Sequence, residues 1–222
     1  MKRCFYKIIN ELILTIRRKN YRLFRAIVDN RFFYFLISKL FARQAIWVKT
    51  PEGINLCINP IYHGQFATEK AILKYEQNVR AILNKIVKKG MTVYDIGANV
   101  GIFSILCSFK ISTNGKVFAF EPERNNVRCL IKTKRQNQID NLVIIERCVS
   151  NISGTKLFDH RGGSFSGRIV EEDCLSRHHK ISPLLSLSLD DFVFKQHNPL
   201  PDVIKIDVEG HEFKVIQGMV SI

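Results

Sequence analysis

Apolar and polar positions along the chain fall into three successive regimes. In the first, Phe5, Ile8, Ile9, Leu12, Ile13 and Ile16 follow the i, i+3, i+4, i+7 spacing of one helical face, with Lys2, Lys7, Arg17 and Arg18 around or beyond it. A second helix reads through Leu23, Ile27, Phe32, Phe35, Leu36 and Leu40. The middle regime opens with a short strand over 54–58 that ends at Asn59-Pro60, followed by a loop at Tyr62-His63-Gly64. Ala71, Ile72, Tyr75, Val79, Ile82, Leu83 and Ile86 then recur with helical spacing and predict one long helix over 67–89, with Gly90 as its stop.

From residue 92 the pattern changes to short β-rich runs at Thr92–Ile96, Lys116–Phe120, Leu142–Ile145 and Val203–Ile206, with helical patterns between the first three. Strands alternating with helices imply parallel pairing, because a parallel connection must cross over the sheet and a helix is the usual crossover. The predicted fold is a doubly wound α/β sheet. Residues 151–192 break the alternation with Gly154, Gly162-Gly163, Gly167 and Pro183, then Leu185-Ser186-Leu187-Ser188-Leu189 at period two. They read as an insertion holding a hairpin or loose strands.

Composition sharpens this picture in two ways. With 222 residues, 46% of them hydrophobic, the chain can bury a core of one ordinary domain plus an appendage. The formal charge of +14 is uneven: residues 1–50 hold twelve Lys or Arg against Glu11 and Asp29, which leaves only +4 for the rest. Residues 1–50 are therefore expected to form a basic amphipathic helical extension, and 51–222 the α/β domain. Such an extension could meet nucleic acid, anionic lipid or an acidic partner, or pack on its own domain. Its longest uncharged stretch, Phe32 to Ser38, is far short of the roughly 20 residues that span a bilayer. Glu11 and the Arg17-Arg18-Lys19 run also interrupt any secretion signal. The expectation is a cytoplasmic chain whose residues 1–45 could touch the inner face of a membrane peripherally. Cys4, Cys57, Cys107, Cys129, Cys148 and Cys174 have no paired metal-site spacing and read as reduced apolar fillers.

Open α/β sheets bind ligands at the C-terminal ends of their strands, so chemistry is sought just after each strand. After the first comes Asp95-Ile96-Gly97-Ala98-Asn99-Val100-Gly101. Gly97 and Gly101 let backbone approach a ligand, and the following helix offers N–H groups to an anion. Asp95 could accept hydrogen bonds from the loop or from a ligand ammonium, and Asn99 could fix the turn. The loop could equally be a tight strand-to-helix turn with no ligand. After the second strand comes Glu121-Pro122, twenty residues beyond Gly101. That spacing suits a carboxylate accepting both hydroxyls of a ribose, although an acid there also complements the next helix dipole. The dehydrogenase fingerprint G-x-G-x-x-G is missing a glycine, which disfavours a nicotinamide cofactor. After the last strand come Asp207, Glu209, Gly210, His211 and Glu212, a cluster suited to acid/base work. Structural readings exist here too: Glu212 in a helix first turn, Lys205 paired with Asp207, His211 capping the helix.

Together these segments resemble the FkbM-type methyltransferases, class I enzymes that use S-adenosylmethionine. The resemblance rests on V-Y-D-I-G-A-N-V-G at 93–101, A-F-E-P at 119–122, the L-D-D within 186–192, and I-K-I-D-V-E-G-H-E at 204–212. It implies a Rossmann-like sheet and methyl transfer, mostly to hydroxyl groups. It implies that Asp95, Gly97, Asn99 and Gly101 surround the methionine part of the cofactor and that Glu121 meets its ribose. The adenine would lie near Cys148-Val149-Ser150, where Ser150 or backbone groups stand in for an acid that many class I enzymes carry. His211, Asp207 or Glu209 would serve as base for the acceptor hydroxyl, His211 being favoured because an ordinary imidazole is mostly neutral near pH 7. No resident metal is expected. The acceptor would be a small molecule, a sugar or a lipid-linked glycan, with no nucleic acid. Class I sheets continue past the fourth core strand, so this sheet reads as truncated there. The alternative function is a non-catalytic cofactor-binding module tethered by its basic N-terminus.

Overall fold

A computed structural model of the chain describes Thr15 and residues 45–60, 62–160, 167–170 and 181–222. The helices expected within 1–44, and with them the expected lipid-facing surface, lie outside the described residues. Residues 46–49 were expected to belong to the helical extension, but they form a strand. This β1 (Ile46–Lys49) pairs antiparallel with β2 (Asn55–Ile58), Trp47 opposite Cys57 and Val48 opposite Leu56. Two β-branched positions and a Trp suit a pleated surface, and the hairpin turn at 51–53 supplies the partner that a four-residue run cannot reveal in sequence.

The single long helix expected over 67–89 is two helices. α1 (Glu69–Lys74) is capped by Thr68, whose hydroxyl accepts the Ala71 N–H at 3.1 Å. The backbone is then extended at Tyr75 and left-handed at Glu76, with φ 42°, before α2 (Gln77–Ile86) begins. The break seats the Tyr75 ring between Phe66, edge-on at 4.8 Å, and Phe103, stacked at 5.9 Å. Aromatic packing here overrides a local pattern that favours a continuous helix.

The central sheet contains β3 (Thr92–Ile96), β4 (Lys116–Phe120), β5 (Leu142–Ile145) and β10 (Val203–Ile206), all parallel, in the order β10-β3-β4-β5. Its bounds are those read from the sequence, and its order is that of a doubly wound sheet. Alternation along the strands builds two cores. Val93, Val117 and Ala119 join the core with residues of α3 (Ile102–Ile111), α4 (Arg124–Gln136) and the hairpin. Tyr94, Ile96, Phe118 and Phe120 join the opposite core with Phe192 and with Val215 of α5 (Glu212–Gln217). The rings of Tyr94, Phe118, Phe120 and Phe192 meet edge-to-face with centroids 5.1 to 5.6 Å apart. Helices after the first two strands thus cover one face, and segments entering and leaving β10 cover the other. The crossover changes face between β3 and β10, which is where such a sheet opens a crevice.

The insertion, joined by β6 (Cys148–Val149) from the segment before it, forms a second sheet with β7 (Gly154–Asp159), β8 (Arg168–Val170) and β9 (Ile181–Leu187), in the order β6-β9-β7-β8. Cys148-Val149, expected near the end of the third core strand, pairs instead with Ser186-Leu187 of this second sheet. A π-helical turn at Asp191–Lys195 leads back toward β10. Cys57, Cys107, Cys129 and Cys148 are free and buried. Among the described residues no helix is long and apolar enough to cross a membrane.

Candidate functional site

The register of β10 on β3 puts Lys205 directly opposite Asp95 at the switch point. Parallel partners point to the same face, so the ammonium and the carboxylate meet inside the protein. Lys205 Nζ lies 3.3 Å from Asp95 Oδ1, 3.3 Å from Asp207 Oδ2 and 3.4 Å from the carbonyl oxygen of Gly97. It also stands 5.4 Å from the centre of the Phe103 ring. Burial alone would lower the Lys205 pKa, but Asp95 and Asp207 outweigh it and hold the ammonium above its ordinary value. The second Asp95 oxygen accepts the Ser104 hydroxyl at 2.5 Å. The Asp95 side chain is only 3% exposed, against 42% for Asp207. Asp95 is therefore the floor of the site, and Asp207 the carboxylate of the pair that a ligand can reach.

The loop between β3 and α3 follows from these anchors. Gly97 and Ala98 both donate to the Phe120 carbonyl, at 2.9 and 3.0 Å, so the end of β4 holds the turn. Gly97 has φ 77°, and a Cβ there would lie 1.9 Å from the Asp207 carbonyl oxygen; only glycine allows the two strand ends this close. Gly101 has φ 88°, and a Cβ would collide with Leu130 at 2.0 Å. Asn99, with φ 54°, accepts the Val100 N–H at its own side chain, 2.7 Å away. The backbone then enters α3, whose first-turn N–H groups have no carbonyl within the helix to bond.

Glu121 closes the other side of the loop. Its Oε2 accepts the Asn99 N–H at 2.7 Å, and its Oε1 accepts the Glu123 N–H at 2.9 Å and the Asn126 side-chain amide at 3.1 Å. A carboxylate offers about four acceptor directions, so one remains, on Oε2. That is room for one hydroxyl, where the sequence suggested two. Burial pushes the Glu121 carboxyl up to about 7, although those three N–H donors pull it down.

Ser150 and His211 come together away from this loop. The Ser150 hydroxyl lies 2.9 Å from His211 Nε2, and both residues are buried. His211 occupies the N-cap position of α5 without capping it, and the Glu212 carboxylate closes the turn before the helix, accepting the Val208 and Gly210 N–H groups at 3.3 and 3.2 Å. Glu209 is exposed on left-handed backbone at φ 53°. Thus Asp95, Gly97, Asn99, Gly101, Glu121 and Asp207 form one constellation, and His211 with Ser150 ties the second sheet to α5. Among the described residues no group of three or more His, Cys, Asp or Glu side chains is arranged to hold a metal ion.

Several contributors went unread in the sequence. From the sequence, Lys205 reads only as a partner of Asp207. Tyr75 sits close enough to Asp95 and Asp207 that both carboxylates, after burial and Glu76, raise its pKa. Glu123 Oε2 meets His160 Nδ1 at 2.7 Å, and His160 Nε2 meets the Ser182 hydroxyl at 2.7 Å, a line that fastens β7 and β9 to the loop after β4. None of these carries a local signal, because each needs a partner brought in by the fold.

The profile of the methyltransferase FkbM domain matches residues 95–222, more than half of the chain and beginning on Asp95 itself. The chain belongs to the FkbM methyltransferase family. Among curated proteins, the hexuronic acid methyltransferase AglP of Haloferax volcanii is 30% identical over 155 residues, covering 67% of this chain and 58% of its own length. The chain thus spans somewhat more than half of that relative. Solved structures overlap more loosely. Trm5b of Pyrococcus abyssi is 27% identical over 44% of this chain and 28% of its own, with a TM-score of 0.34. An S-adenosylmethionine-dependent O-methyltransferase of Thermotoga maritima is 21% identical over 33% and 28%, with a TM-score of 0.31. The fold of this FkbM-family chain stands on its strand order and its family, not on those overlaps.

Proposed function

We propose that the chain binds S-adenosylmethionine at the β3–β10 switch point and transfers the methyl group to an oxygen of a small molecule, sugar or lipid-linked glycan. What carries the reading is the constellation of Asp95, Lys205, Asp207 and Glu121 around a glycine loop at that crevice, in a chain of the FkbM family. Two observations support a fit to the cofactor. Asp95 Oδ1 is buried against Lys205 at 3.3 Å, so the pair lays a charged floor beneath the crevice. Gly97 lets the Asp207 carbonyl approach to where a Cβ would lie, which brings Asp207 and the glycine loop to one crevice.

When bound, the cofactor supplies a sulfonium methyl already activated for attack by an oxygen nucleophile. The chain's own work is then to bind, orient and exclude water. Asp207 and the N-terminus of α3 offer one acceptor and several donors for the ammonium and carboxylate of a methionine moiety, and Glu121 Oε2 offers its remaining lone pair to one ribose hydroxyl. Lys205 holds Asp207 in place from below. For the acceptor's proton the reading places exposed Glu209 first, since Asp207 is engaged by Lys205 and by the methionine ammonium and His211 Nε2 faces Ser150.

The AglP relative makes a hexuronic acid the first acceptor class to test. Transfer of labelled methyl from S-adenosylmethionine to glucuronic acid and to glucuronate-containing oligosaccharides is the experiment. An alkali-stable label marks a hydroxyl as the acceptor, and an alkali-labile one marks the carboxylate. A chain that binds S-adenosylhomocysteine yet labels no uronic acid, neutral sugar or lipid-linked glycan contradicts the enzyme and supports a non-catalytic binding module.

A further inference from the structure

The domain matched to the family begins at Asp95, yet a buried hydrogen-bond path runs from the segment before it into the candidate ribose carboxylate. It starts at His63, in the loop after the β1–β2 hairpin, with no exposed surface. The Asn59 N–H donates to His63 Nδ1 at 3.0 Å, which fixes the proton on Nε2. His63 Nε2–H then donates to the Asn126 side-chain carbonyl at 2.7 Å, and the Asn126 amide donates to Glu121 Oε1 at 3.1 Å. On the far side of the same carboxylate, Oε2 accepts the Asn99 N–H. Every donor in this path has one acceptor orientation consistent with the next, so the imidazole dictates which way the amide points. The amide, beside the Glu123 N–H, in turn holds one oxygen of Glu121 and leaves the other for the loop.

We propose that His63 is a positioning residue for the cofactor pocket, acting through Asn126 to orient Glu121, so that the hairpin segment outside the family-matched domain forms part of the cofactor site. The inference rests on the cofactor reading above. A structural tie between hairpin and α4 already exists elsewhere: Thr133 accepts the Cys57 N–H at 2.8 Å, and Asn137 bonds the Asn55 N–H and carbonyl at 3.0 and 2.9 Å. Docking the hairpin therefore does not require the His63 path, which instead adds the Asn126 amide to the two backbone N–H groups that hold Glu121. Reversal of the Asn126 amide would present its oxygen to the carboxylate, and Glu121 would have to turn away from the ribose position.

The test is calorimetry of S-adenosylhomocysteine with the full 222-residue chain and its variants. His63→Leu and Asn126→Leu should each weaken binding about tenfold, the loss expected for hydrogen bonds to a charged group. His63→Gln, whose amide can present an N–H near the Nε2 position, should stay within about threefold of wild type. The double Leu variant should bind no worse than Asn126→Leu alone, because both changes cut one path. Folded His63→Leu protein that binds like wild type overturns the proposal, as do losses in the double variant that simply multiply. Should the Leu variants not fold, nitrogen NMR of the wild-type imidazole decides: the Nε2–H signal must move on ligand addition, and an unmoved signal overturns the proposal. A wild-type chain that binds no S-adenosylhomocysteine overturns the cofactor reading and this inference together, whereas wild-type binding with an indifferent His63 overturns only the latter.

Discussion

Replacing Lys205 with Met removes the cation from between two carboxylates while keeping the length of the stem, and the two contacts differ enough in burial to give unequal losses. At 3.3 Å and an effective dielectric of about 20, the Asp95 contact corresponds to about 5 kcal/mol of attraction. The Asp207 contact has the same 3.3 Å separation, but 42% of that side chain is exposed, so solvent screens it toward about 1 kcal/mol. Returning the ammonium to water in the unfolded state already offsets part of this in the wild type. The net cost of Lys205→Met should therefore fall at about 3 to 5 kcal/mol, mostly because Asp95 is left charged and buried. Asp207→Asn should cost about 1 kcal/mol or less. Adding Asp95→Asn to Lys205→Met should recover more than half of the loss, since the stranded charge is gone. Urea unfolding at neutral pH in low and high salt measures all of these. A Lys205→Met cost below about 1 kcal/mol, or equal costs for Lys205→Met and Asp207→Asn, would refute a buried Asp95–Lys205 pair at the switch point.

Other outcomes follow from the same geometry. Gly97→Ala meets the Asp207 carbonyl oxygen at 1.9 Å on backbone with φ 77°; it should destabilise the chain by at least about 2 kcal/mol in urea unfolding and abolish calorimetric binding of S-adenosylhomocysteine. Glu121, raised to about 7 by burial, must ionise to accept a ribose hydroxyl best. Affinity for S-adenosylhomocysteine should rise about tenfold between about pH 6 and about pH 8, while Glu121→Gln flattens that profile. His63 is held down to about 4 by burial, against about 6.5 when unfolded. The stability this contributes is present above pH 6.5 and is lost as pH falls toward 4, because only the unfolded chain takes up the proton. About 3 kcal/mol should disappear across that window in acid titrations of urea stability, and not in His63→Gln.

The core strands were legible in the sequence to the residue, because a strand buried on both faces is a continuous apolar run bounded by turns, as in Val117-Phe118-Ala119-Phe120 before Glu121. The glycine loop and Glu121 were legible for the related reason that parallel sheets put ligand contacts at strand ends. The break at Tyr75-Glu76 was not, since neither residue stops a helix and the cause is two distant rings. Lys205 beneath Asp95 depends on a register between residues 110 positions apart, which periodicity does not encode. Ser150 and His211 were each singled out for chemistry by position, and their contact with each other emerges only when the second sheet is folded against α5.

The central claim, that the crevice between β3 and β10 is a cofactor site closed by Glu121, is tested most directly by calorimetric titration of S-adenosylhomocysteine into the chain and its Glu121→Gln variant at about pH 8. One-site binding by the wild type, weakened about tenfold or more in Glu121→Gln as the charged acceptor is lost, is the predicted result. Absence of binding to folded wild-type protein, or equal binding by the two, would contradict it.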